Sequence, residues 1–396
     1  MRIALSVVAL SAAAFAQVQP DAVLMRMPDV SKDQIVFRYA NDLWLVAKEG
    51  GTARPLASPE GPESLPKFSP DGARIAFMGG YDGGTDLYVV AVDGGIPQRV
   101  THHPAAEVLC DWTADGKSLL FFSAQSSGQQ RAPKMFKVAA NGGQPEELPI
   151  PYGTFGVVDD TASWLAYTPV AQSEFRTWKR YQGGLAQDVW LFNLVSFESR
   201  RVTDHPGTDS LPMWHGHELY FLSDRDPKAR LNLWMYDVQK RTTVQVTDFT
   251  DADVRFSSIG PDDIVFEHAG KLFRYDLAAQ KSLPVAVAIP GDRPLLRAQT
   301  LSLEQDIASV RIGPNAKRVA IEARGEIFSA PVDEGALRNL TASSGVAERS
   351  PAWSCDGQWI AYWSDRSGEY ELCVRRADGA PFKWNGAEEE TSEKAL

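Results

Sequence analysis

The sequence predicts an all-β protein, a β-propeller of four-stranded antiparallel blades, on three observations. First, a marker strand recurs: DLWLV at 42, DLYVV at 86, KMFKV at 134, DVWLF at 188, NLWMY at 232, KLFRY at 271, EIFSA at 326 and ELCVR at 371. The successive spacings are 44, 48, 54, 44, 39, 55 and 45 residues. Second, several markers follow a turn between two apolar runs, as in LPKFSPDGARIAF (65–77), VLCDWTADGKSLLFF (108–122), VRIGPNAKRVAIE (310–322) and SPAWSCDGQWIAYWS (350–364). Third, several are followed by a second turn, EGGTARP, DGGIPQR, NGGQPEE or DGAP, and by closing segments such as PQRVT (97–101) and RRVTD (200–204). Alternating aromatic and β-branched residues mark strands. Gly accepts positive φ and Pro presets a turn, so the links are hairpins. A four-strand unit repeating every ~40–50 residues is the mark of a propeller. A lone sheet cannot cover both of its apolar faces, and radial packing around an axis covers them.

Taken in order, residues 1–16 combine Arg2, the apolar run IALSVVAL and small residues at Ala14 and Ala16. They read as a secretory signal peptide cut before Gln17, which places the mature protein in the periplasm or outside the cell. The run is shorter than the ~20 residues of a membrane span, so no span is expected. Six units then fill 17–290, enough to close a ring. The first holds four strands of its own (VLMRM, QIVFRY, DLWLVA, TARPLA), so closure requires no strand borrowed from the other end, though 18–21 could add an edge contact. Pro290, Gly291 and Pro294 place a joint at 291–300. Two further units at 301–379 are the first blades of an incomplete second propeller, because two blades cannot close. The last residues, 380–396, read as an acidic irregular tail.

Composition narrows the function. The 396 residues are 44% hydrophobic, 23% charged and 10% aromatic, which excludes disordered, collagen-like and coiled-coil chains. A net charge of −11 speaks against sequence-independent nucleic-acid binding, which needs surplus Lys and Arg. Cys110, Cys355 and Cys373 are too few and too scattered for a disulfide framework or a zinc site. They read as buried free thiols, with Cys355 and Cys373 as the pair placed to join under oxidation.

Three stretches carry a resemblance: SEFRTWKRYQGGLAQDVWLFNL (173–194), KRVAIEARGEIFSAPVDEGALRNLT (317–341) and ERSPAWSCDGQWIAYWSDRSGEYELCVRRADG (348–379). The repeat resembles TolB-like propellers of exported bacterial proteins, and these stretches resemble the amino-terminal region of tricorn-like serine peptidases. The resemblance implies a six-bladed propeller, a seven-bladed one, then PDZ and peptidase domains, with the propellers filtering peptides and an oligomer possible in the full-length form. The family's catalytic residues would lie downstream, so none is assigned here. The expected role is a non-catalytic peptide-gating or docking scaffold with peptides or protein domains as partners. The alternative is a stand-alone TolB-like protein-binding propeller.

The candidate chemistry is otherwise bland. No Gly-x-Ser-x-Gly elbow occurs. His102 and His205 follow closing strands (VTHHP, VTDHP) and read as equivalent loop positions; His215-Gly216-His217 reads as a hairpin turn. SDRD (223–226) and SDRSG (364–368) read as matching blade turns. No metal or cofactor is expected. The exception is the insertion AQSEFRTWKRYQGG (171–184), which groups Phe175, Arg176, Trp178, Lys179, Arg180 and Tyr181 in an otherwise acidic protein. Long loops on a rigid scaffold often bind, and Arg and aromatic residues suit contact sites. The competing reading is a lid with Trp178 packed on its own propeller.

Overall fold

The computed structural model describes residues 22–57, 61–81, 83–128, 132–170, 180–290, 300–383 and 391–396. The signal-peptide residues 1–16 and most of the 291–300 joint lie outside them. The chain divides into two compact units, Met1–Leu296 and Arg297–Leu396. The described residues contain no α-helix, and no helix among them is long and apolar enough to cross a membrane.

The first unit carries six four-stranded antiparallel sheets, spanning 26–57, 63–99, 107–147, 154–201, 209–245 and 254–285. The second carries two, at 307–339 and 348–395. Each sheet runs as consecutive hairpins, so its strand order is its sequence order, save that Gly51–Thr52 leaves the first sheet. In the first unit each sheet packs on the next, and the sixth packs on the first.

The repeat residues account for this geometry. In the SPDG-type turns Ser69, Thr113 and Ser354 donate to Asp71, Asp115 and Asp356 at 2.5, 2.7 and 2.5 Å, while Gly72, Gly116 and Gly357 take positive φ. The VT segments fasten the fourth strand to the third. The Leu87, Val189, Leu233 and Ile327 amides donate to Thr101, Thr203, Thr247 and Thr341 at 2.9–3.0 Å. The Asp opening a marker strand pairs with the Arg of the closing one, as in Asp86–Arg99 and Asp188–Arg201, both 2.8 Å. The fourth residue of the second strand supplies the core: Phe37, Phe77, Phe121, Phe221 and Phe266 are all 0% exposed. Burying such a ring contributes ~1.5–3 kcal/mol.

Every first strand changes register part-way, between Arg26 and Asp29, Ser64 and Lys67, Leu109 and Asp111, Thr154 and Val157, Ser210 and Met213, and Arg255 and Ser258. Five of the six bulges hold a non-glycine residue at positive φ: Met27, Leu65, Phe155, Leu211 and Phe256. A bulge re-aims side chains and tolerates the missing N–H of a proline. Met27-Pro28, Leu65-Pro66 and Leu211-Pro212 fit that description.

The sixth sheet is joined to the first by more than packing. Val287–Ala288 pairs in parallel with Gly51–Thr52, and the Leu24 amide donates to the Gly270 carbonyl at 2.7 Å. Both termini of the ring therefore reach across the junction, a device the hairpin code does not announce. Gly50 is required here: its φ is +96°, and a Cβ would lie 2.4 Å from the Ala286 carbonyl oxygen. Glu267 accepts from the Met27 amide at 2.6 Å and pairs with Arg26 at 2.8 Å.

Three expectations need correction. The tail is not wholly irregular: Lys394–Ala395 forms the fourth strand of the last sheet, opposite Val374 and Cys373, and Phe382 is buried against Trp359. Backbone pairing, with Glu393 beside it bonded to Tyr362 and paired with Arg366, fixes that edge strand without apolar burial, so its polar sequence carries no strand signal. The loop counterpart of His205 is His103, not His102: His205 accepts from the Gly207 amide and His103 from Ala105, both at 3.0 Å. All three cysteines are free, but only Cys110 and Cys373 are buried; Cys355 is exposed in its turn.

The SDR turns lock the first strand of their own sheet. The Asp224 and Asp365 carboxylates each accept a backbone N–H at 2.8 Å, from Thr208 and Ala347. Arg225 and Arg366 pair with Asp209 and Glu348, the buried carboxylates that open the first strands of the same sheets, at 2.8 and 3.5 Å.

Candidate functional site

The six first strands run side by side around a common cavity in the first unit. Met27, Leu65, Leu109, Phe155, Leu211 and Phe256, one from each sheet, form an apolar collar. Beyond it the wall turns polar, with Lys67, Asp111, Ser257 and Ser258. The cavity measures about 50 Å³. At Asp111, Val157 and Ile259 it meets a funnel of about 910 Å³ opening among the hairpin turns. Each first strand contributes its earlier residues to the cavity and its last ones to the funnel, so all six point the same way.

The polar wall is built across sheets. Asp29 accepts from the Phe68 amide at 2.6 Å and from the Ser258 hydroxyl. Lys67 Nζ lies 2.5 Å from Ser258 Oγ and 3.7 Å from Asp29. The first, second and sixth sheets are thus tied together beside the axis. Burial pushes Asp29 up to about 6 although the Lys67 ammonium opposes it, and burial raises Asp111 as well. Two carboxylates thus share one lysine. Cys110, in the same wall, is pushed by burial to about 12 and stays a thiol at neutral pH. Ser257 is 6% exposed, and its hydroxyl has no hydrogen-bond partner among the described residues.

The funnel is acidic. Asp29, Asp33, Asp71, Asp111 and Asp160 line it, and Lys32 is its one lysine or arginine among the described residues. Trp112 and Trp214 form part of its apolar wall. At the opposite end of the first strands Arg26 and Arg255 lie over the Phe256 ring, at 5.8 and 5.6 Å, and the buried Glu267 carboxylate pairs with Arg26 at 2.8 Å. Among the described residues no cluster of three or more His, Cys, Asp and Glu side chains could hold a metal ion.

Of the insertion residues, Phe175, Arg176, Trp178 and Lys179 lie outside the described residues. Arg180 and Tyr181 are half-buried, and neither lines the axial cavity or its funnel. Tyr181 folds over Gly183, and the segment ends at buried Gln187, whose carbonyl accepts the Asp209 amide at 2.8 Å. The axial residues went unread because each bulge interrupts the alternation that separates the two faces of a strand. The signal that could have found them is the X-Pro dipeptide ahead of Asp29, Lys67 and Met213.

The model of the tricorn protease N-terminal beta propeller domain matches residues 22–281, more than half of the chain. The chain belongs to that family. A tricorn protease homolog of Streptomyces coelicolor is 27% identical over 90% of this chain and 33% of its own length. Another, from Saccharolobus solfataricus, is 26% identical over 81% of this chain and 30% of its own. The chain therefore spans about a third of the length of the curated relatives it matches. The crystal structure of the tricorn protease superposes with a TM-score of 0.59 at 19% identity, over 90% of this chain and 35% of that one, which shows a shared fold. A TolB structure from Agrobacterium tumefaciens aligns with a TM-score of 0.41 at 16% identity, over 66% of this chain and 80% of that one.

Proposed function

We propose that this chain is a non-catalytic propeller portion of a tricorn-like exported serine peptidase, and that it admits or docks peptides along the axis of its first unit. In this reading the six sheets are six blades of a closed ring. The two sheets after Leu296 open a second propeller, whose further blades would cover the exposed strand Ile307–Ile312. Residues 1–16 direct export. The observation that carries the reading is the cavity and funnel built by one strand from each of the six sheets. The relatives' name, tricorn protease homolog, supplies the protease context. The insertion 171–184 is a second contact surface, tested by replacing Trp178 and Arg180 with Ala and measuring peptide binding and thermal stability together.

Photo-crosslinking tests the axial role. Decapeptides bearing benzoylphenylalanine are irradiated with the full chain, and the adducts are mapped by mass spectrometry. Adducts concentrated at 31–34, 69–72, 157–160 and 214–216 are expected. Adducts confined to outer sheet edges would contradict it.

A further inference from the structure

We propose that the floor of the funnel is a receptor for a primary ammonium group, held by the Asp111 carboxylate and the Ser257 hydroxyl. The inference rests on the peptide reading of the axis and deepens it by naming the chemical group the axis selects.

Charge balance comes first. Asp29 and Asp111 face a single lysine, and Asp29 already holds Lys67 and Ser258 in its own network. Among the described residues the Asp111 carboxylate accepts only from its neighbour Trp112, at 2.8 Å. It stands where cavity and funnel meet, so it is reachable from outside. The second observation is independent of charge. Ser257 lines the same cavity, more than nine-tenths buried, with a hydroxyl unpartnered among the described residues. A buried hydroxyl without a partner forfeits a hydrogen bond, so a donor arriving there gains one at no cost to another contact.

The donor set suits a compact cation. A cavity of about 50 Å³ has room for a small head group. An ammonium carries three N–H donors on one compact centre, which suits a carboxylate and a hydroxyl lining one small cavity. The approach selects the same sign. Five carboxylates against Lys32 line the funnel, and walls of one sign raise the local concentration of the opposite ion. A peptide would therefore enter the funnel with its amino end leading. A lysine side chain offers the same chemistry.

The test uses the full chain and three carboxyl-terminally fluorescein-labelled tetrapeptides: Ala-Gly-Ala-Gly with a free amine, its N-acetyl form, and N-acetyl-Lys-Gly-Ala-Gly. Fluorescence anisotropy at pH 7.5 is expected to show at least ten-fold weaker binding after acetylation. Recovery in the lysine peptide assigns the site to either amine; continued weakness assigns it to the amino terminus. Asp111→Asn should bring free and acetylated peptides within about two-fold of each other. If that variant fails to fold, Ser257→Ala should weaken only the amine-bearing peptides, by three-fold or more. Equal binding of free and acetylated peptides to the unaltered chain would overturn the ammonium site while leaving axial peptide binding standing. No binding of any peptide, with no funnel adducts, would overturn both.

Discussion

The two units use one local code and reach different degrees of burial. In the first unit the first strands Glu63–Phe68 and Glu107–Trp112 bury four of their six residues, and Asp209–His215 buries five of seven. In the second unit Ile307–Ile312 has no buried residue, and Ile307, Val310 and Ile312 are 44, 45 and 69% exposed. The pair geometry is nevertheless the same. Trp112 donates from its indole to the Lys67 carbonyl at 2.9 Å, and Trp353 does so to the Arg311 carbonyl at 2.9 Å. The repeat thus specifies how one sheet meets the next. Burying a first strand takes further neighbours around an axis, which the six sheets provide for each other.

The largest effect should come from the core residue that the ring covers. Phe266→Ala is expected to cost ~3–5 kcal/mol, whereas Ile312→Ala in the exposed strand should cost under ~0.5 kcal/mol. Urea unfolding of both variants checks this, and similar losses would erase the contrast. Next is the closure that only the first unit has. Gly50→Ala meets both a strained φ and the Ala286 carbonyl oxygen at 2.4 Å, while Gly94, at the same place in the second sheet with a φ of +95°, would meet the Leu56 carbonyl oxygen at 3.2 Å. Gly94→Ala should cost ~1 kcal/mol and Gly50→Ala clearly more. Equal midpoints would mean that the parallel pair contributes nothing to closure.

A pH effect should follow from the carboxylates that open first strands. Burial pushes Glu63 and Glu107 up to about 7, so the folded state binds more protons than the unfolded one. Their contribution is complete below the unfolded value near 4.5 and is lost as pH rises through about 7. Thermal midpoints of the first unit should therefore fall between about pH 5 and 8. Glu63→Gln keeps a carbonyl oxygen to accept from the Leu43 amide, lets its NH2 donate to the Tyr81 hydroxyl oxygen, and should flatten that slope. An unchanged slope would assign it elsewhere. The smallest difference should be at the closing-segment threonines. Thr203→Val and Thr341→Val each remove a bond accepted from a strand amide and one donated to a carboxylate, Asp188 or Glu326, and each should cost ~1–2 kcal/mol in its own unit.

The legibility of the sequence follows the same division between local and assembled structure. Turns, marker strands and closing VT segments are local, and the structure shows what Asp71, Gly72 and Thr101 do there. Lys67, Asp29 and Asp111 acquire meaning only where strands from separate repeats converge, and a bulge shifts each of them out of simple alternation. Gly50 read as an ordinary turn glycine because the strand that approaches it lies more than two hundred residues away. Lys394–Ala395 has no apolar pattern and pairs through its backbone. The insertion was legible as a cluster of cationic and aromatic residues, but its first members lie outside the described residues.

The most direct test of the account is hydrogen–deuterium exchange on the full chain. Peptides covering Glu63–Phe68, Glu107–Trp112 and Asp209–His215 should exchange orders of magnitude more slowly than the peptide covering Ile307–Ile312, because first-unit strands open only with the closed ring. Equal protection across the four strands would show that burial does not depend on the ring, and would contradict the account.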